Sequence, residues 1–300
     1  MSTAVYFFCR NRDLDPAAMQ VFDALSKLHA TTETGTVVDG EPVLQVEQGG
    51  HRFLLVRTED VLSHDYPRYL PTINEHFGDA DVAGVVNWHE GANAPDRVLT
   101  VHSTGDVPAG VWGPTDPRLW RNLLRALEDE RAKAGLEFAV VTEATHWSGV
   151  PYGGAVELIP RYPVPTYDIE VGSSPESWAD PVAHEVVARA LTRVFDDSGT
   201  ATPVLCAGGV HVETAWSTPV LEGDYAVAHH LPNQWLVSGE YDNDEADAKL
   251  DACVASIVGG VELIAFHDKL KATYKEPFRR LGERLGVPVV KHQALRRPSA

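Results

Sequence analysis

Cysteine is scarce in this chain: Cys9, Cys206 and Cys253 stand far apart among 300 residues. An odd and scattered set excludes a disulfide framework and a clustered thiolate site, and it fits a reducing cytoplasm with three small buried hydrophobes. Long uncharged apolar runs are missing too, so no membrane-spanning helix is expected. The opening MSTAVYFFCRNRDLD has too short an apolar core and no basic lead-in for a signal peptide, so a cytoplasmic protein is expected. Positive charge is in short supply, with 25 Lys and Arg against 43 Asp and Glu and a net charge of −18. Such a balance repels polyanions at long range and argues against a broad nucleic-acid surface. The exception is the basic end at about 267–300, which holds nine cations and three acids. A solvated helix face and a phosphate contact both fit it. Absent as well are GxGxxG and the P-loop, leaving no support for a nucleotide cofactor, and GxSxG, HExxH and CxxC.

What is present is alternation. Apolar, β-rich runs at 4–9, 52–57, 82–88, 97–102, LEFAVVTEATH, 167–172, 202–209, 224–230 and 287–290 read as strands. Between them lie helical patterns opened by Asp15-Pro16, Asp116-Pro117, Ser174-Pro175 and Asp180-Pro181, each a capping side chain followed by Pro at the first helical position. Strands alternating with helices predict a layered α/β fold with a largely parallel sheet. No repeat or linker interrupts the chain, so residues 1–300 read as one domain.

The histidines carry the functional signal. His89, His102, His146, His211, His229 and His230 lie at or just beyond the ends of five of these strands. In open α/β sheets ligands bind outside the carboxyl ends of parallel strands, so these rings are expected to converge on one rim. Neutral imidazole is both a zinc ligand and the usual general base near neutral pH. Glu143, three residues before His146, offers a ligand, a base or a partner that orients a ring. Gly208-Gly209 before His211 permits close backbone approach, and Gly172-Ser173-Ser174 leads into a helix N-terminus suited to an anion. Each residue also has an ordinary structural explanation.

In order along the chain, these motifs resemble the archaeal and plant type of D-aminoacyl-tRNA deacylase. Trp88-His89 and Leu99-Thr100-Val101-His102 resemble two strand ends of that family, and Thr145-His146-Trp147-Ser148-Gly149 resembles its THHGP segment. Its glycine-serine-serine strand end resembles Gly172-Ser173-Ser174, its GGGHY resembles Gly208 to Val212, and its GHILPK resembles Ala228 to Asn233. The resemblance implies a three-layer α/β/α, phosphorylase/hydrolase-like fold with a mostly parallel mixed sheet. It implies hydrolysis of the ester between a D-amino acid and tRNA, with zinc as a cofactor. His146 and His211, with His229 or Glu143, are then expected to hold a metal or position water, and the Gly208 and Gly209 amides to meet the oxyanion. His89, His102, Trp147, Ser173, Ser174 and His229 are the expected substrate contacts. The chain departs from the family's pattern at Trp88, Trp147, Ser148-Gly149 and Asn233, losing two cations that would face a polyanion. A metal-assisted hydrolase of a small acyl ester or amide, and a non-catalytic ligand-binding relative, therefore remain open. The expected partner is an aminoacyl-tRNA or a small acyl compound, with no membrane and no stable protein partner.

Overall fold

The computed structural model describes residues 1–91, 94–196 and 199–296. Its N-terminal half supplies β1 (Thr3–Cys9), β2 (Thr32–Val38), β3 (Glu41–Gln48), β4 (His51–Thr58), β5 (Val82–Trp88) and β6 (Val98–Ser103). A short ribbon, β7 (Gly105–Asp106) with β8 (Val111–Trp112), precedes β9 (Ala139–Thr142) and β10 (Thr166–Val171). The last third adds β11 (Thr202–Ala207), β12 (Tyr225–Leu231), β13 (Leu263–Phe266) and β14 (Val289–Lys291).

Two sheets result. The larger has the order β2-β3-β4-β1-β5-β10-β6-β9, and the smaller β12-β11-β13-β14. The smaller sheet is parallel throughout. In the larger, β4, β1, β5 and β10 run parallel, whereas β6 pairs antiparallel with β10 and carries β9 parallel to itself. Helices Ala18–Leu28, Pro117–Ala134 and Pro181–Leu191 bury their apolar stripes on one face. Helix Tyr66–Phe77 and the 3₁₀ turn Val156–Arg161 cover the other, giving the three-layer α/β arrangement. Helix Pro117–Ala134 shows the local logic. Asp116 accepts from the amides of Arg118 and Leu119, Pro117 opens the first turn, and Gly135 closes the last at φ 63°. One apolar cluster joins Leu99 and Val101 of the larger sheet to Val204, Cys206 and Ala265 of the smaller. All three cysteines are free and buried. Among the described residues no helix is long and apolar enough to cross a membrane.

The expectation of one rim built from parallel strand ends does not hold. Only nine residues, 89–97, separate β5 from β6, and a parallel crossover needs a dozen or more, so β6 returns antiparallel. LEFAVVTEATH is likewise not one strand. It pairs with β6 only through Thr142, after which the Ala144 amide donates to the His211 carbonyl (2.8 Å) and that of Thr145 to the His230 carbonyl (2.9 Å). This short segment therefore stitches the larger sheet to the smaller. Strands β2, β3, β7, β8 and β13 went unanticipated. TETGTVV is mostly exposed at a sheet edge, and LIAF is only four residues long, so neither presents a pattern of useful length.

Candidate active site

The site lies on a sheet face, and period-two alternation puts it there. In β5 and just beyond, Ala83, Val85, Asn87 and His89 point one way; Asp168 and Glu170 of β10 share that face with Val85 and Asn87 through their register. His102 of β6 stands opposite Asp168. Glu143 follows β9 on the side of Val141, whose register partner is Thr100. The same face farther along is apolar, built from Val5, Phe7, Ala83 and Val85. A buried patch of three carboxylates and several imidazoles thus interrupts a hydrophobic layer over the seam between β10 and β6.

Glu143 is its centre. One carboxylate oxygen, Oε1, lies 2.5 Å from His211 Nε2, 3.4 Å from His89 Nε2 and 3.9 Å from His146 Nε2. The other, Oε2, is buried without a hydrogen-bond partner. Three of the surrounding rings are fixed from behind. His89 Nδ1 meets Ser173 Oγ at 2.6 Å, His102 Nδ1 donates to the Ser103 carbonyl at 3.1 Å, and His146 Nδ1 donates to the Ala144 carbonyl at 2.9 Å. Their Nε2 atoms are left facing the acids and the cavity. Beneath His146, the fully buried His102 ring stacks at 3.8 Å, with its Nε2 3.4 Å from Glu170 and 3.5 Å from Asp168.

Burial and charge set the protonation states. Burial opposes a charge on His102, but Asp168, Glu170 and Glu143 outweigh it and hold its pKa at about 10. Burial also opposes ionisation of Glu143, yet hydrogen bonds from His211 and His89 and the charge of His102 hold its carboxyl well below the usual value. Glu170 is pushed up to about 7 by burial and by Glu143, against the pull of His102. Burial, and then the charge of His102, depress His146 well below the ordinary imidazole value. His146 is therefore a neutral ring with a lone pair on Nε2, next to an ionised carboxylate. That is the state of a general base.

These residues line a cavity of about 290 Å³. Its floor is Asn87, His89, Glu143, His146, Glu170 and His211, and its walls include Trp88, Trp147, Trp235, His64 and Tyr152. His64 and Tyr152 stack at 3.8 Å. The Trp147 ring is buried against Tyr66, so this residue is both packing and wall. The loop over the cavity closes tightly because Gly149 has no side chain: a Cβ there would sit 2.1 Å from the Ser63 carbonyl oxygen.

Several expected contacts are elsewhere. His229 does not reach the cluster; its Nδ1 meets Ser103 Oγ (2.8 Å) and Thr145 Oγ1 (3.2 Å), and its Nε2 meets Ser256 Oγ (3.0 Å). Both nitrogens are occupied and the ring is fully buried, so His229 is corrected from metal ligand and substrate contact to a core residue. His102 is corrected too, because a ring stacked beneath His146 with no exposed surface cannot touch substrate. The Gly208 amide is spent on the Leu231 carbonyl at 2.7 Å, and Glu213 fills the space beside Gly209. Their positive φ of 89° and 90° makes a tight turn, and Gly208, its amide occupied, is corrected from oxyanion donor to turn residue. Ser174 accepts from the Ser177 amide and caps the helix Pro175–Trp178, and Ser173 holds His89. Asp168 and Glu170 were missed, although the alternation in YDIEV carried the signal: polar residues at every second place in a strand that is otherwise apolar.

Two donor sets among the described residues have the composition and spacing of a cation site: His89, Glu143 and His211, and His102, His146 and Glu170, with ligand atoms within 4.8 Å of one another in each. Imidazole and carboxylate are zinc ligands, and the Nδ1 partners of His89, His102 and His146 are of the kind that fix metal-binding tautomers.

The family model described as D-aminoacyl-tRNA deacylase matches residues 76–290, a span that contains every member of both sets. The D-aminoacyl-tRNA deacylase of Pyrococcus horikoshii is 27% identical over 228 residues, 73% of this chain and 77% of the relative. That of Methanococcoides burtonii is 30% identical over 74% of this chain, and the match spans 45% of that longer relative. In shape, the chain is similar to the crystal structure of a conserved protein of unknown function, with a TM-score of 0.78 at 19% identity over 98% of this chain and 97% of that one.

Proposed function

The chain belongs to the D-aminoacyl-tRNA deacylase family, and from that membership we propose that it hydrolyses the ester joining a D-amino acid to the terminal ribose of tRNA. The observation that carries the reading is His146, a neutral imidazole whose free Nε2 faces a cavity beside ionised Glu143. In the reaction, His146 Nε2 takes a proton from water as the water oxygen bonds to the ester carbonyl carbon. The negative charge that builds on the carbonyl oxygen is stabilised by the charge of nearby His89, whose nitrogens stay with Ser173 and Glu143 and which burial disfavours as a cation but the hydrogen bond and charge of Glu143 favour more strongly. Collapse of the tetrahedral centre breaks the bond to the ribose oxygen, and the His146 imidazolium returns the proton to that leaving group. Glu143 keeps His89 and His211 in place, and Ser173 does the same for His89 from the other side.

His89, Glu143 and His211 would hold zinc while leaving His146 free, and the unpartnered Glu143 Oε2 supports that donor set. Zinc held there would acidify a water to near neutrality and polarise the ester carbonyl. The substrate's phosphates would approach the C-terminal end, where Lys269, Lys271, Lys275 and Lys291 make no ion pair with a carboxylate among the described residues. Arg280 and Arg284 there are already neutralised by Asp247 and Asp251. The deciding experiment is incubation with D-tyrosyl-tRNA and with its L counterpart. Release of the D-amino acid well above blank, with the L ester spared, supports the reading; no release from either ester ends it.

A further inference from the structure

Next to the catalytic cavity lies a second compartment of about 250 Å³ whose character is different. Val107, Pro108, Val150 and Pro151, with the rings of Trp147 and Trp235, give it an apolar lining. It meets the first cavity at His146, Trp147, Pro151 and Trp235, which border both. His146 thus sits on the partition: one side is aromatic and polar, the other apolar. Its ring is 5.8 Å from Trp235, centroid to centroid.

We infer that the apolar compartment receives the amino-acid side chain of the substrate, while the stacked His64 and Tyr152 with Trp88 receive the terminal base. The assignment rests on the deacylase reading above and adds to it which acyl groups the site prefers. An ester carbonyl held at His146 Nε2 must send its two arms apart. One arm is a side chain on the carbon next to the carbonyl; the other is a ribose bearing a purine. A purine needs flat faces to stack on, which the His64–Tyr152 pair at 3.8 Å and the edge of Trp88 provide. A hydrophobic side chain needs a dry surface that costs no hydrogen bonds, which the Val and Pro lining provides. Asp106 is the one acidic residue bordering that compartment, and its Oδ1 accepts from the Ala109 amide.

The test is steady-state deacylation of tRNA charged with D-Phe, D-Leu and D-Ala, by the wild type and three variants. In the wild type, kcat/KM is expected to rise with apolar size, D-Phe exceeding D-Ala by about 10-fold or more, the scale of discrimination that a few methylene groups bring in an apolar pocket. Val150→Trp fills the compartment from a partly exposed position at the start of the 3₁₀ turn Val150–Tyr152. It is expected to cut D-Phe turnover about 10-fold while changing D-Ala less than about 3-fold. Val150→Ala should move the preference towards larger side chains. Tyr152→Ala, on the other side of His146, should raise KM for all three substrates alike. Equal losses for D-Phe and D-Ala in Val150→Trp with an unchanged melting temperature, or a wild type indifferent to side-chain size, overturn the assignment and leave the deacylase reading standing. A wild type that hydrolyses none of the three overturns both.

Discussion

His146 and His229 both follow apolar, β-rich segments, both are depressed in pKa by burial, and they end in opposite roles. His229 has each nitrogen against a hydroxyl, from Ser103, Thr145 and Ser256. His146 has one nitrogen tied to a backbone carbonyl and the other turned to a cavity beside Glu143. A lowered pKa guarantees only that an imidazole is uncharged at neutral pH. What separates a base from a piece of core is whether its lone pair faces open space and a carboxylate. Thr145 connects the two, its Oγ1 helping to hold His229 while the residue after it supplies the reactive nitrogen.

The sharpest way to break this contrast is substitution. His146→Ala is expected to lower kcat for D-tyrosyl-tRNA by about 10²- to 10⁴-fold with the fold intact, the usual range for removing a general base. His229→Ala should keep its turnover per folded molecule but lose about 1–3 kcal/mol of stability, because a buried ring and its hydrogen bonds to Ser103, Thr145 and Ser256 are removed. Comparable kcat losses in the two variants, both folded, would erase the distinction.

Acid should expose the burial of His229 through stability. The folded His229 and His230 have pKa values lowered to about 3 by burial, against 6.5 for an unhindered ring. An unfolded chain takes up protons below 6.5 that the folded chain refuses, so the stability present above that pH is lost as the pH falls towards 3. Each ring accounts for at most on the order of 5 kcal/mol over that window. Melting temperature followed from pH 7 to pH 4 should fall less steeply in His229→Gln than in the wild type.

Metal binding sharpens the contrast further. Zinc affinity, measured by equilibrium dialysis with elemental analysis, is expected to drop about 10- to 100-fold in Ser173→Ala, which removes only the support behind His89, and to stay unchanged in His229→Gln. A matching drop in His229→Gln would return that ring to the ligand set. The smallest effect is expected at the edge: Lys269→Glu with Lys291→Glu should raise KM a few-fold at low salt, with the difference vanishing at high salt and kcat unaltered.

Much of this was legible beforehand, though not always for the reason first given. Asp116-Pro117 announced its helix because a capping carboxylate and a residue lacking an amide hydrogen suit only that position. The gathering of His89, His146 and His211 was read from strand ends, and they do gather, but on a sheet face over an antiparallel seam. Strand direction was invisible because it depends on whether a linker is long enough to cross the sheet, and residues 89–97 are too few. Asp168 and Glu170 were readable from alternation and were passed over, since acids in an apolar strand look like surface until neighbouring strands bury them. His229 misled because the hydroxyls that claim it come from Ser103 and Ser256, distant in the chain.

The stitch at Ala144 and Thr145 has a kinetic corollary. Its amide bonds reach 67 and 85 positions down the chain, to His211 and His230, and closures of that span are slow steps in chain assembly. Each sheet can gain its secondary structure separately, but Glu143 and His211 meet only after the two have joined. In a refolding time course, ester cleavage should consequently lag behind the circular-dichroism signal, making enzymatic competence a clock for the last joining event.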